Sequence, residues 1–267
     1  MRHHLFLSLA AVAASLPQAN ASVFSGDLLA ARTFAVLGAS TVTSTGNTVL
    51  IGNLGVYPGS AITGFPPGFV SGLTYDNAEA VVQQAQIDAL AAFVALSNET
   101  PVENLTGLDL GGLTLSPGVR NFTSSAQLTG TLTLDGGGDP HARFDFLIGS
   151  TLTTSVGSAI VLINGADADN VFWKVGSSAT LGSDTAFWGN IIAQASITMN
   201  ARASLAGGRA FALNGAVTLD DNDITAGFAA PGAVPEARSF LPLALCFPVL
   251  GVWQWRAARR RKAARGC

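Results

Sequence analysis

The chain has 267 residues, of which 48% are hydrophobic and only 12% charged, with 14 basic and 17 acidic side chains. Eight basic residues sit near the ends (Arg2, Arg238, Arg256, Arg259, Arg260, Arg261, Lys262 and Arg265), so residues 22–235 hold six basic residues against 16 acidic ones, a net of −10. That balance excludes nucleic acid as a partner, because phosphate binding needs a basic surface.

At the N-terminus, Arg2, His3 and His4 precede an apolar run over residues 5–16, and Ala19-Asn20-Ala21 follows. This is the pattern of a secretory signal peptide over residues 1–21, too short for a typical membrane span. An uncleaved anchor is the alternative. The exported body then covers residues 22–233. It has no cysteine, since Cys246 and Cys267 are the only two, so neither a disulfide nor a thiolate metal site is available to it.

The body opens with short alternating segments. Thr41, Thr43 and Thr45 alternate, as do Ala61 and Thr63. Residues 76–97 differ, being rich in Ala, Gln and Val without Gly or Pro. Asp76 and Glu79 suit the ends of a capping box, and Val81, Ala85, Ala89 and Phe93 fall four apart with Val82 and Leu96 close to that face, which predicts one amphipathic helix packed on the rest of the body.

Beyond the helix an apolar-Thr-apolar unit recurs: Leu113-Thr114-Leu115, Leu132-Thr133-Leu134, Leu152-Thr153, Ala179-Thr180-Leu181, Ile197-Thr198-Met199 and Val217-Thr218-Leu219. The threonines are 19, 20, 27, 18 and 20 residues apart. A period of that size predicts stacked coils. Strands over Phe144–Ile148, Val171–Val175, 187–192 and 209–213 precede several Thr units and carry the large aromatics of an interior. Gly149, Gly176, Gly182 and Gly215 fall between strands, where positive φ is expected. The pattern predicts an all-β solenoid with one helix; a β-sandwich would not require so regular a period.

The chain ends with Val234-Pro235-Glu236-Ala237, an apolar stretch over residues 240–255 and a basic tail over 256–265. By physics alone this is a short membrane segment with a cytoplasmic positive anchor. The order over residues 234–267 resembles the PEP-CTERM sorting tail, with Val234, Pro235 and Glu236 as the sorting motif and Ala237 departing from the usual second proline. That resemblance implies an exosortase-type processing enzyme as a partner and the outer surface of a Gram-negative bacterium as the destination. An ordinary tail anchor is the alternative.

Several motifs stand in an order similar to the ice-binding-like (DUF3494) family. They are the segment from Phe34 to Gly46, Gly52-Asn53-Leu54-Gly55-Val56-Tyr57-Pro58-Gly59, Ile62-Thr63-Gly64-Phe65-Pro66-Pro67-Gly68, Leu113-Thr114-Leu115-Ser116-Pro117-Gly118-Val119 and Gly176-Ser177-Ser178-Ala179-Thr180-Leu181-Gly182. The resemblance runs from about residue 28 to residue 225. It implies a right-handed, roughly triangular, discontinuous β-helix with one long helix alongside, and ice binding on one flat face.

Strand alternation then selects outward residues. If each apolar neighbour points inward, the outward pairs are Thr131 and Thr133, Thr151 and Thr153, Ser178 and Thr180, Ser196 and Thr198, and Ala216 and Thr218, with Thr41, Thr43, Thr45, Ala61 and Thr63 near the N-terminus. The expected partner is an ice crystal surface, met by a monomer without cofactor. A surface or biofilm-matrix adhesin of the same fold, bound to extracellular polysaccharide, is the other reading, and strand propensity alone also favours Thr.

An enzyme has little support. Asp135, Asp139, Asp145, Asp167 and Asp169 are the available carboxylates, but each lies near Gly, Asn or Pro and suits a turn. His141 is the one histidine of the body, so no His-rich metal site is expected. Asp135-Gly136-Gly137-Gly138-Asp139 resembles a calcium-binding turn but occurs once.

Overall fold

The computed structural model describes residues 28–227. The predicted leader over 1–21 and the sorting tail over 234–267, with Val234, Pro235 and Glu236, lie outside the described residues.

The described chain is a three-sided, discontinuous β-solenoid in which every strand pairing is parallel. Sheet A has nine strands: in spatial order Thr74–Tyr75, Asn53–Val56, Phe34–Gly38, Ala210–Ala212, Asn190–Ala193, Val171–Val175, Phe144–Ile148, Gly118–Phe122 and Glu103–Asn104. Sheet B has seven and sheet C eight, stacked in the same sense. Spatial order departs from chain order at one joint. There Phe34–Gly38 lies beside Ala210–Ala212, Thr41–Thr45 beside Val217–Asp220, and Val49–Ile51 beside Asp223–Thr225. The N-terminal coils therefore extend the stack beyond the last C-terminal coil.

Such an arrangement needs a return path, and the helix α1 (Ala80–Ser97) supplies it. Its 18 residues span about 27 Å. The outermost strands of sheet A lie eight intervals apart, about 38 Å at the usual strand spacing. The short segments on either side of α1 cover the difference.

α1 packs on the outer side of sheet A, so its central strands are buried on both faces. Within Phe34–Gly38, Val36 belongs to the solenoid interior, while Phe34 and Leu37 pack under the helix. The same division separates Trp173 from Phe172 and Ile191 from Ile192. This is why strands such as Phe34–Gly38 and Ala210–Ala212 read as unbroken apolar runs. Inside the solenoid the Trp173 ring stacks on Phe146 at 3.9 Å, and its indole N–H donates to the Trp188 carbonyl at 3.0 Å.

The helix differs from expectation in its start and at Val81. Asp76 and Glu79 do bond as a turn: Glu79 accepts from the Asp76 N–H at 2.8 Å and Asp76 from the Ala78 N–H at 2.9 Å. That turn closes ahead of the helix, which begins at Ala80 with no side-chain cap. The buried side holds Val82, Ala85, Ala89, Ala92, Phe93 and Leu96, whereas Val81 is exposed. A strict spacing of four drifts about 40° per step on a helix, so alternating steps of three and four hold the packed face. Two polar groups fix the docking. Asp88 accepts from the Ala30 N–H at 2.9 Å, and Gln86 donates to the Ala212 carbonyl at 3.0 Å. By length and composition α1 could also cross a membrane, but eight of its residues are buried in this packing.

The segment 187–192, expected as one strand, turns a corner. Ala186–Trp188 belongs to sheet C and Asn190–Ala193 to sheet A, with Gly189 at φ +100 between them. The glycines expected at positive φ do not have it: Gly149, Gly176, Gly182 and Gly215 are all absent from the left-handed region among the described residues. They are needed for close approach instead. A Cβ at Gly149 would stand 2.7 Å from the Thr123 carbonyl oxygen of the next coil, and one at Gly176 would overlap the Gly149 carbonyl oxygen. Gly176→Ala is expected to cost about 1–3 kcal/mol, because the obstacle is backbone and cannot rotate away; a urea midpoint equal to that of the wild type would refute this corner contact.

Candidate functional site

The candidate surface is the outward face of sheet B. Its strands are Ala126–Leu128, Leu152–Thr154, Ala179–Leu181, Ile197–Met199, Val217–Asp220, Thr41–Thr45 and Ala61–Thr63, in that spatial order. The flanking apolar residues (Leu152, Ala179, Leu181, Ile197, Met199, Val217, Leu219 and Val42) turn into the core and are essentially inaccessible. The residue between each pair must then face out.

The register aligns these outward residues in one column. Thr153 pairs with Thr180, Thr180 with Thr198, Thr198 with Thr218, Thr218 with Thr43 and Thr43 with Thr63. Six threonines thus stand in consecutive coils, about 4.8 Å apart. A parallel column lies two residues earlier, about 6.7 Å away along the strands, with Thr151, Ser178, Ser196, Ala216, Thr41 and Ala61. No member of either column is charged.

The two columns differ in what their hydroxyls do. In the earlier column Thr151 donates to Ser125 at 2.8 Å, and Ser178 and Ser196 accept backbone N–H groups at 3.3 Å. Among the described residues, none of the six threonine hydroxyls of the main column bonds to the protein. Threonines elsewhere, such as Thr45, Thr129, Thr154 and Thr185, do use theirs internally. The main column therefore presents every hydroxyl to solvent.

Thr131 and Thr133 are not part of this surface. They lie in Thr131–Asp135 of sheet C, paired with Ala159–Ile163. The 20-residue step from Thr133 to Thr153 crosses from sheet C to sheet B. The true sheet B steps are 26 from Gln127 to Thr153 and 27 from Thr153 to Thr180, then 18 and 20. The two long coils carry loops over residues 136–143 and 164–170, and the added length imitates the shorter period. The outward side of sheet C mixes Val161, Ile163, Trp188, Asp135, Asp223 and Phe69, which are uneven in size and charge. Thr45 is on sheet B but outside both columns, beside Asp220.

Sequence reasoning missed Gln127, which ends the threonine column, and Ser125 beside it. A signal existed. The sheet B strand begins four residues after the end of the preceding sheet A strand in Ile148 to Leu152, Val175 to Ala179 and Ala193 to Ile197. The same offset from Phe122 reaches Ala126.

The carboxylates weighed for catalysis are engaged in structure. Asp135 accepts from Gly137 N–H at 2.9 Å and the Asn164 amide at 2.9 Å, and these bonds hold its carboxyl below the usual range. Asp139 accepts from the His141 N–H, and Asp167 from the Asp169 N–H. Asp145 is buried against Arg143 at 2.7 Å; burial pushes its carboxyl up while the guanidinium pulls the other way. Asp169 pairs with Arg209 at 2.8 Å. Among the described residues no group of three or more His, Cys, Asp or Glu is placed to hold a metal ion, the Asp135–Asp139 turn included.

A family model described as ice-binding-like matches residues 36–225. The chain belongs to this family. It is 52% identical over 238 residues to an ice-binding protein of Nostoc sp. (strain HG1), covering 87% of this chain and 88% of that one. Among solved structures, an ice-binding protein of the Antarctic ascomycete Antarctomyces psychrotrophicus is similar with a TM-score of 0.71 at 42% identity, over 74% of this chain and 97% of that one. An ice-binding protein from an Antarctic biological consortium gives a TM-score of 0.73 at 39% identity, over 83% and 96%. Family membership thus rests on both sequence and fold across nearly all of the described body.

Proposed function

We infer that this protein binds ice outside the cell, without catalysis, and that sheet B is the surface that docks. The observation that carries the reading is the column Thr153, Thr180, Thr198, Thr218, Thr43 and Thr63, in register and with no hydroxyl engaged by the protein. The relatives named ice-binding proteins support it from outside the chain.

The physical basis is a match between a rigid lattice and ordered water. Each threonine offers a methyl, around which water orders, and a hydroxyl that joins that water's hydrogen bonds. Its β-branch already restricts χ1, and the strand beneath is held by the stack, so little conformational entropy remains to be lost on docking. Any single contact is weak. Six held in one frame dock together, so the loss of translational freedom is incurred once for all of them. A charged group within the grid would hold its own hydration shell and break the ordered layer, and both main columns lack one.

The ends of the chain supply delivery. The leader over residues 1–21 exports the body, and the PEP-CTERM-like tail with Val234, Pro235 and Glu236 takes it through an exosortase-type enzyme to the outer surface of a Gram-negative cell, where it acts as a monomer.

The test is thermal hysteresis together with inhibition of ice recrystallisation on the purified protein. Both activities are expected. Thr133→Tyr, on sheet C, is expected to leave them unchanged. Loss of activity in that variant, with sheet B substitutions tolerated, would assign docking to the wrong face. Absence of both activities alongside binding to a polysaccharide would favour a matrix adhesin instead.

A further inference from the structure

α1 is apolar on the side turned away from the solenoid as well. Ile87, Leu90, Ala91 and Val94 fall at helical spacing on that side, and Ile87, Leu90 and Val94 are 51%, 48% and 52% exposed. Gln83 and Gln84 continue the same side and are exposed too. The one charged residue of the helix, Asp88, is buried and accepts from the Ala30 N–H. A surface helix ordinarily turns charges to water, so an uncharged apolar stripe on its outer side marks a surface that something covers.

The described chain ends close to this helix. The Gly227 carbonyl accepts from Arg209, whose Nε donates to the Arg32 carbonyl at 2.8 Å. Arg32 belongs to the short turn Leu29–Thr33, which packs on α1 and holds Ala30, the partner of Asp88. Residues 228–239 then separate Gly227 from Phe240, where the apolar stretch of the tail begins. Fully extended, that length of chain reaches at most about 45 Å, more than the about 27 Å of α1.

We propose that the outer face of α1 rests on the bilayer entered by the apolar stretch over residues 240–255, and so fixes how the anchored body stands. This rests on the reading of that stretch as a membrane segment. Two arguments favour lipid over a second copy of the chain. A face about 27 Å long and about 10 Å wide buries well under the about 800 Å² per partner of a stable complex. A tether, by contrast, keeps the helix within reach of one bilayer, so a weak apolar contact forms without a further loss of translational freedom. The face has no Lys or Arg, and residues 22–235 carry a net charge of −10. Attachment therefore comes from apolar insertion and needs no anionic lipid. Sheet B is a separate side of the solenoid from sheet A, so the threonine column stays open to water.

The experiment places the chain without its leader, carrying Cys246→Ser and Cys267→Ser, in vesicles of zwitterionic phosphatidylcholine. An environment-sensitive fluorophore is attached at Val94→Cys on α1 or at Thr198→Cys on sheet B, and a thermal melt of each variant checks its fold. Brominated lipid is expected to quench the label at position 94 at least about twofold, since an interfacial helix enters the bilayer by about 5–10 Å, and to leave the label at position 198 unchanged. The quench at 94 is expected to persist at high salt. It is expected to vanish in Ile87→Asp combined with Leu90→Asp, while the chain still floats with the vesicles through its tail. Equal exposure of both labels in chains that float with the vesicles overturns the role of α1 and leaves the tail as an anchor. Shielding at 94 that grows with protein concentration, without quenching by lipid, overturns it in favour of a second copy. Failure of the chain to float removes the tether, and the proposal with it.

Discussion

Thr198→Tyr is expected to reduce thermal hysteresis at least about tenfold while changing stability by no more than an ordinary surface substitution does, about 0.5 kcal/mol. Thr198 lies inside the column, with Thr180 on one side and Thr218 on the other. Its strand neighbours Ile197 and Met199 are fully buried and hold the backbone flat. A phenol at this point stands several ångströms above the methyl plane. A gap of 0.5–1 Å already forfeits about a quarter to a half of a dispersion contact, so a larger one separates the adjoining threonines from the crystal too. The fold has no reason to suffer, since tyrosine is favourable in strands and the side chain points to water. Thr198→Val separates the two halves of the threonine's contribution: it keeps shape and stiffness but lacks the hydroxyl. An intermediate activity is expected for it. Wild-type hysteresis in Thr198→Tyr would show that ice meets another surface.

Arg209→Ala is expected to lower stability by about 3–5 kcal/mol, the cost of breaking a buried ion pair from one side. For a domain of this size that is a fall in Tm of about 6–20 °C. Arg209 is 1% exposed. Its Nε donates to the Arg32 carbonyl at 2.8 Å, and its Nη1 to Asp169 and Asn190, each at 2.8 Å. Nη2 donates to the Gly227 carbonyl. Burial pushes the guanidinium down from its ordinary pKa, and the bond to Asp169 opposes that shift. Removing it leaves three acceptors and a carboxylate without their donor, although Arg32 also approaches Asp169 at 3.5 Å. Arg209→Lys is expected to recover only part of the loss, because an ammonium cannot reproduce the planar fork. Urea unfolding of both variants checks this, and a loss below about 1 kcal/mol for Arg209→Ala would mean that water replaces the network.

The location of Arg209 links this stability to the site. It directly precedes Ala210–Ala212, which pairs with Phe34–Gly38 at the joint between C-terminal and N-terminal coils. The same joint brings Thr43 into register with Thr218, 175 residues away in the chain. Thr153, Thr180, Thr198 and Thr218 belong to one run of coils, and Thr43 and Thr63 to the other. A loosened joint would divide the threonine column.

Local signals were sufficient for the kind of fold. Alternation in Ile197-Thr198-Met199, the aromatic strands and the helical segment around Ala85 and Ala89 each follow from the period of side chains along a strand or helix, which acts over a few residues. Most outward residues of sheet B were legible for the same reason. Thr131 and Thr133 were not separable from them, because Leu132-Thr133-Leu134 alternates just as Leu152-Thr153 does. Which sheet a strand joins depends on how many residues the intervening loops consume, and the loops at 136–143 and 164–170 have no alternation to read. The corner glycines show the same limit: Gly149 and Gly176 announce a break between strands, but their need for close approach arises from a neighbouring coil.

By itself, the sequence determined that this is an acidic, cysteine-free, coil-repeating body with threonines turned outward, since composition and alternation are properties of adjacent residues. The tertiary structure decided which threonines share a plane and that an N-terminal pair completes the column. Those are outcomes of parallel pairing between coils, where partners are fixed by register and loop length across long chain separations.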